Sequence, residues 1–175
     1  MLKVTRDDIV KVYPSAHYWS KVHYDNNNQV SLESILETNG LEDAVRSAQA
    51  IGNDKLLRMF ACRCAESVVS QFEKKFPGDN RPRKAIEAAR EFIHGKISEL
   101  ALATAGDAAM DVAWDNRDNP ISYAADASAW ATAHDGCKAA YEAFAYAKKL
   151  EGSEKVLSLE FLKLCRIEGE YALYK

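Results

Sequence analysis

The 175-residue sequence has no glycine-rich loop, because its eight glycines all stand apart from one another. Neither GxGxxG nor a P-loop pattern can be drawn from them, which excludes the common phosphate-cradling nucleotide folds. Long hydrophobic runs are missing as well. Charges at Lys3, Arg6, Asp7, Asp8 and Lys11 interrupt the first residues, so no secretory signal is expected. Nothing approaches the ~18 apolar residues of a membrane span, and no membrane partner is expected. An excess of basic charge is lacking too. The 23 Lys+Arg are opposed by 26 Asp+Glu, a net charge of -3, which argues against direct nucleic-acid binding.

Metal and nucleophile signatures are equally scarce. The four histidines, His17, His23, His94 and His134, form no HExxH and no zinc-finger spacing with cysteine. Cys62 and Cys64 are two apart on a helical pattern and so point about 200° apart, the wrong geometry for a redox or zinc pair. The four cysteines (Cys62, Cys64, Cys137, Cys165) are expected to be free thiols in a reducing cytoplasm. No GxSxG is present, and no cysteine stands in a recognisable catalytic context. The expectation is therefore a protein without metal, cofactor or catalytic residues, and not an enzyme.

What is present is helical periodicity nearly throughout. Thr5, with Asp8 three residues on, starts a short helix to about Val12, which Pro14 ends. Ala16–Tyr24 reads as a second short helix, and 25–29 (Asp-Asn-Asn-Asn-Gln) as a loop. Ser31 caps Leu32–Thr38, Asn39-Gly40 gives a left-handed exit, and Leu41–Ile51 is closed by Gly52. Asn53 opens the strongest helix, to about Lys75, with Leu57, Phe60, Cys64, Val68 and Phe72 on one face. After Phe76-Pro77-Gly78, Pro82 suits a first helical turn. Ile86, Ile93 and Leu100 continue the apolar period into the core, with Gly95 as a possible break.

From Ala101 to Ala147 there are 17 alanines, which predicts two or three helices packed closely on small faces. Glu154–Tyr174 reads as a last helix, apolar on more than one face, and so either deeply buried or shared with a second copy of the chain. No segment alternates with a period of two. The fold class expected is all-α: one domain over 1–175 of about seven to nine helices, with no significant sheet.

The feature that stands out is a carboxylate stripe. Asp107, Asp111, Asp115 and Asp118 follow at steps of four, four and three, within an arc of about 80° on one helix. Trp114 lies about 20° from its edge, and Ala105, Ala108, Ala109 and Val112 form the inward side. Residues 101–135 hold six acids and one base, Arg117, so the negative charge is concentrated. A solvated face explains such a stripe most simply. The sharper reading is a docking face for a basic protein, with Trp114 as anchor and Trp130 as a second aromatic. A straight helix would spread the four carboxylates over some 16 Å, too far for one cation. The basic cluster Arg81-Pro82-Arg83-Lys84 with Arg90 is interleaved with Glu87 and Glu91, and pairing of Glu87 with Arg83 and Arg90 is its ordinary explanation.

Three segments carry a resemblance. Residues 31–44 read SLESILETNGLEDA, residues 56–66 read LLRMFACRCAE, and residues 79–90 read DNRPRKAIEAAR. With the alanine- and tryptophan-rich second half, over about residues 5–150, they resemble the fifth family of immunity proteins of bacterial polymorphic toxin systems, also found in phages and prophages. Val45-Arg46 departs from relatives that have an aromatic after LEDA. The resemblance implies an all-helical cytoplasmic protein that binds and neutralises a toxin. The alternative is a phage-encoded inhibitor of a host defence nuclease, its acidic helix face mimicking phosphates. DNRPRKAIEAAR also has a structural reading, in which Asp79 caps a helix and the basic residues anchor neighbouring acids.

Overall fold

Residues 2–12, 25, 27–151 and 154–171 are described by the computed structural model. The order is β1 (Lys3–Thr5), α1 (Arg6–Val12), β2 (Gln29–Ser31), α2 (Leu32–Asn39), α3 (Leu41–Ala50), α4 (Asp54–Lys75), α5 (Arg81–Ile93), α6 (Glu99–Asp115), α7 (Ser122–Trp130), α8 (Gly136–Glu151) and α9 (Glu154–Tyr171). The fold is all-α. Its one sheet among the described residues is a pair of three-residue strands, antiparallel with Val4 opposite Val30. Three residues are too few for an alternating pattern to register in the sequence. The helix expected at 16–24, with His17 and His23, lies outside the described residues.

Several helices start where a side chain can accept one of their first free N–H groups. Thr5 Oγ1 accepts from Asp8 N at 3.1 Å, Ser31 Oγ from Ser34 N at 3.1 Å, and Asn53 Oδ1 from Leu56 N at 3.0 Å. Each such cap contributes about 1 kcal/mol. α4 is the central element, packed by α3, α5, α7, α8 and α9. Leu56, Phe60, Cys64, Val68 and Phe72 are all buried along it. Phe60 meets Phe161 of α9 edge-on, with centroids 5.1 Å apart. The alanines do what their size allows. Ala124, Ala125 and Ala127 of α7 and Ala139, Ala140, Ala143 and Ala147 of α8 are fully buried, so these backbones lie close to one another.

Gly106 marks the closest approach. A Cβ there would stand 2.0 Å from Thr132 Oγ1, so only glycine lets α6 settle against the end of α7. Arg58 is the other junction. Only 6% exposed, it bonds Asp54 Oδ2 at 2.6 Å, Ala133 O at 2.8 Å and His134 O. Its guanidinium also lies over the Phe92 ring, so one side chain of α4 joins α5 to the α7–α8 turn. Asp54 in turn accepts from Gly136 N at 2.9 Å, where α8 begins.

Two core assignments need correction. Ile93 is half-buried, and Leu100 is 77% exposed. The helix that carries the first ends at Ile93, Gly95 just past it takes φ +67, and Ser98 caps a new one through Ala101 N at 3.2 Å. Helical phase does not survive that loop. Measured against α6's own buried residues, Leu102, Gly106, Ala109 and Ala113, Leu100 falls on the opposite side.

Candidate binding surface on α6

α6 offers one side to the protein and the other to solvent. Ala109 and Val112 are buried, and Ala105 and Ala108 are half-buried, as the inward side requires. Asp107, Asp111 and Asp115 are all exposed on the outer side. Trp114, 63% exposed, stands beside them. Asp118 is exposed too but lies past the end of the helix, in the turn after Asn116, so it extends the ridge as a loop residue. None of the four carboxylates takes a hydrogen bond or ion pair from another side chain among the described residues. Two of them act on Arg81, whose charged form is favoured first by hydrogen bonds to Asp79 and at longer range by Asp115 and Asp111.

Leu100, Asp107 and Trp114 are spaced by seven residues, which aligns them along the helix to within about 20° per step. Each step is about 10 Å. An exposed leucine and an exposed tryptophan thus bracket Asp107 and Asp111, with Asp115 next to the tryptophan, and they are the two most exposed large apolar side chains among the described residues. Sequence reasoning found the tryptophan and missed the leucine, because the phase was carried across Gly95.

Trp130 sits elsewhere. It is half-buried on α7, packs against the main core, and has Lys138 Nζ 4.9 Å from its ring centroid. Its buried indole N–H comes near the Tyr146 hydroxyl without hydrogen-bond geometry. No ring contact joins it to Trp114 among the described residues, so the structure does not bring the two tryptophans together.

The basic cluster is structural glue, with different partners from those expected. Arg83 holds Glu73 through two bonds of 2.7 Å, and Arg90 pairs with Glu66, both on α4 rather than with Glu87. Asp79 receives Arg81's backbone N–H at 3.1 Å and its guanidinium at 2.6 Å. Arg83 beside Glu73, and Arg81 beside Asp79, hold those carboxyls below the usual range. Residues 79–90 therefore fix α5 to α4 and cap its start.

The cysteines are free thiols, with Cys62, Cys64 and Cys165 buried in the apolar interior. Burial pushes the Cys62 thiol up to about 12, and that of Cys165 likewise to about 12. No group of three potential ligands is clustered for a metal among the described residues, and no helix there is long and apolar enough to cross a membrane.

By class the fold is all-α, with a ridged helix exposed on one side. Residues 50–159 match the family described as Imm-5 like putative immunity protein, and the chain belongs to that family. No curated protein and no solved structure matches it.

Proposed function

We propose that this protein acts in the cytoplasm as an immunity protein, binding a toxin of basic surface charge through the outer face of α6. The observation that carries this reading is the ridge: Leu100 and Trp114, exposed to 77% and 63%, stand with aspartates that have no side-chain partner among the described residues. Unpaired carboxylates of one sign speed encounter with a basic protein, and a tryptophan at the contact provides the area of a hot spot. Asp107, Asp111, Trp114, Asp115 and Asp118 are the residues assigned to this contact. Trp130, half-buried behind Lys138, supports the interface from α7 at most. The protein needs no catalysis in this role, since occupying the toxin's working surface suffices.

A pull-down from native lysate with wild type and an Asp107/Asp111/Asp115→Lys variant tests the reading. The expected result is one stoichiometric protein, toxic when expressed alone and harmless when co-expressed, that is lost from the variant. A captured protein released by competing DNA would instead identify a nuclease and a phosphate-mimicking ridge. The outer side of α9, where Val156, Leu159 and Ile167 are exposed, is where a second copy would dock. Light scattering showing only monomer removes that contact.

A further inference from the structure

A groove of about 520 Å³ runs beside the ridge, between the start of α5 and the first turns of α6. That volume lies within the range that accommodates a bulky organic group. Its apolar surface comes from Leu100, Ala101, Ala105 and Ala108, and its two charged lining side chains, Arg81 and Lys84, are both cationic. Arg81 already spends its hydrogen bonds on Asp79. Lys84 takes no side-chain partner among the described residues.

We infer that this groove receives an apolar side chain flanked by a carboxylate, presented by the same protein partner that the α6 ridge binds. The inference rests on the reading of the ridge as a docking face. The charge of the groove sets the occupant. An aliphatic or aromatic group fits against the alanines and Leu100, and its neighbouring carboxylate meets the ammonium of Lys84. A basic occupant would bring a like charge to the ammonium of Lys84, at a cost in affinity. Arg81 lies within electrostatic reach of Asp111 and Asp115, so acidic ridge and basic groove are adjacent. The whole face is dipolar. A partner must offer basic and acidic-apolar features in the matching order, which fixes its orientation and rejects proteins that are merely basic.

Titration of the isotope-labelled full chain with naphthoate, followed by amide chemical shifts, tests the groove without any toxin. The expected result is saturable shifts centred on Ala101, Thr104 and Ala105, with naphthylmethylammonium binding at least about fivefold more weakly. Lys84→Glu, at an exposed position with no side-chain hydrogen bond or ion pair among the described residues, is expected to weaken naphthoate by a similar factor. Ala105→Trp, which fills the groove, abolishes its binding while the circular-dichroism spectrum stays native. Scattered shifts, equal binding of the cation, or indifference to Lys84→Glu would overturn the proposal. With the captured toxin, Lys84→Glu is expected to weaken binding about tenfold. Naphthoate binding with unchanged toxin affinity would leave a small-carboxylate site and overturn its role in the interface. Failure of the ridge reading appears separately, as toxin binding that survives reversal of the three aspartates.

Discussion

Arg58 shows how much one side chain can decide. Its guanidinium supplies donors to two carbonyls of the α7–α8 turn and to Asp54, in a nearly sealed position. Arg58→Ala strips these acceptors of their donor, and a loss of about 2–4 kcal/mol in urea unfolding is expected. Gly106 is the complementary case, where atoms must be absent. Gly106→Ala gains helix propensity but drives a methyl into Thr132 Oγ1, which is itself bonded to Ala129 O at 2.7 Å. A net loss of about 1–3 kcal/mol is expected, partly relieved in the double variant with Thr132→Ala. The thiols differ in access. Cys137 is half-buried while the other three are buried, so a thiol reagent applied to the native protein should label Cys137 first. Rapid labelling of Cys62 would contradict its burial.

At the scale of elements, several capping and stop signals were legible almost to the residue, because Ser31, Asn53, Gly40 and Gly95 act locally, whereas the cap at Ser98 was passed over. Side-chain pairing was not. Arg83 and Arg90 had same-helix acids at the right spacing, yet they reach across to Glu73 and Glu66. A single sequence does not state which helix lies alongside another, and that choice decides the partner. The same ignorance hid Arg58 within LLRMFACRCAE, where it reads as one more surface base. The Arg83–Glu73 pair carries a pH dependence. Glu73 has its carboxyl lowered in the folded protein, chiefly by its hydrogen bonds to Arg83, so its contribution is complete above about pH 4.3 and fades as the carboxylate is protonated below that. Glu73→Gln should flatten the acid side of the stability profile, modestly because the pair is partly solvated. An unchanged acid limb in thermal unfolding between pH 2 and 5 would contradict the pair's role.

For the whole molecule, the all-α fold followed from the absence of two-residue alternation and the density of alanine, and the structure agrees. The acidic side of α6 was also legible, because a four-residue step places carboxylates on one face wherever a helix forms. What could not be read was its surroundings. Leu100 emerged on the ridge only once α5 and α6 were separate helices, and the groove exists only because Arg81 and Lys84 of α5 come to lie beside the first turns of α6. Association driven by the ridge should slow as ionic strength rises, since exposed charges are screened within about 8 Å at physiological salt. Salt-independent association rates would contradict a charge-steered encounter.

The most direct measurement is calorimetric titration of the captured toxin with wild type, Trp114→Ala and the Asp107/Asp111/Asp115→Lys variant. The account predicts that each variant keeps its fold and loses more than about 2 kcal/mol of binding free energy, a weakening of roughly thirtyfold. Affinity equal to wild type in both folded variants would place the toxin on another surface and leave the α6 ridge a solvated helix face.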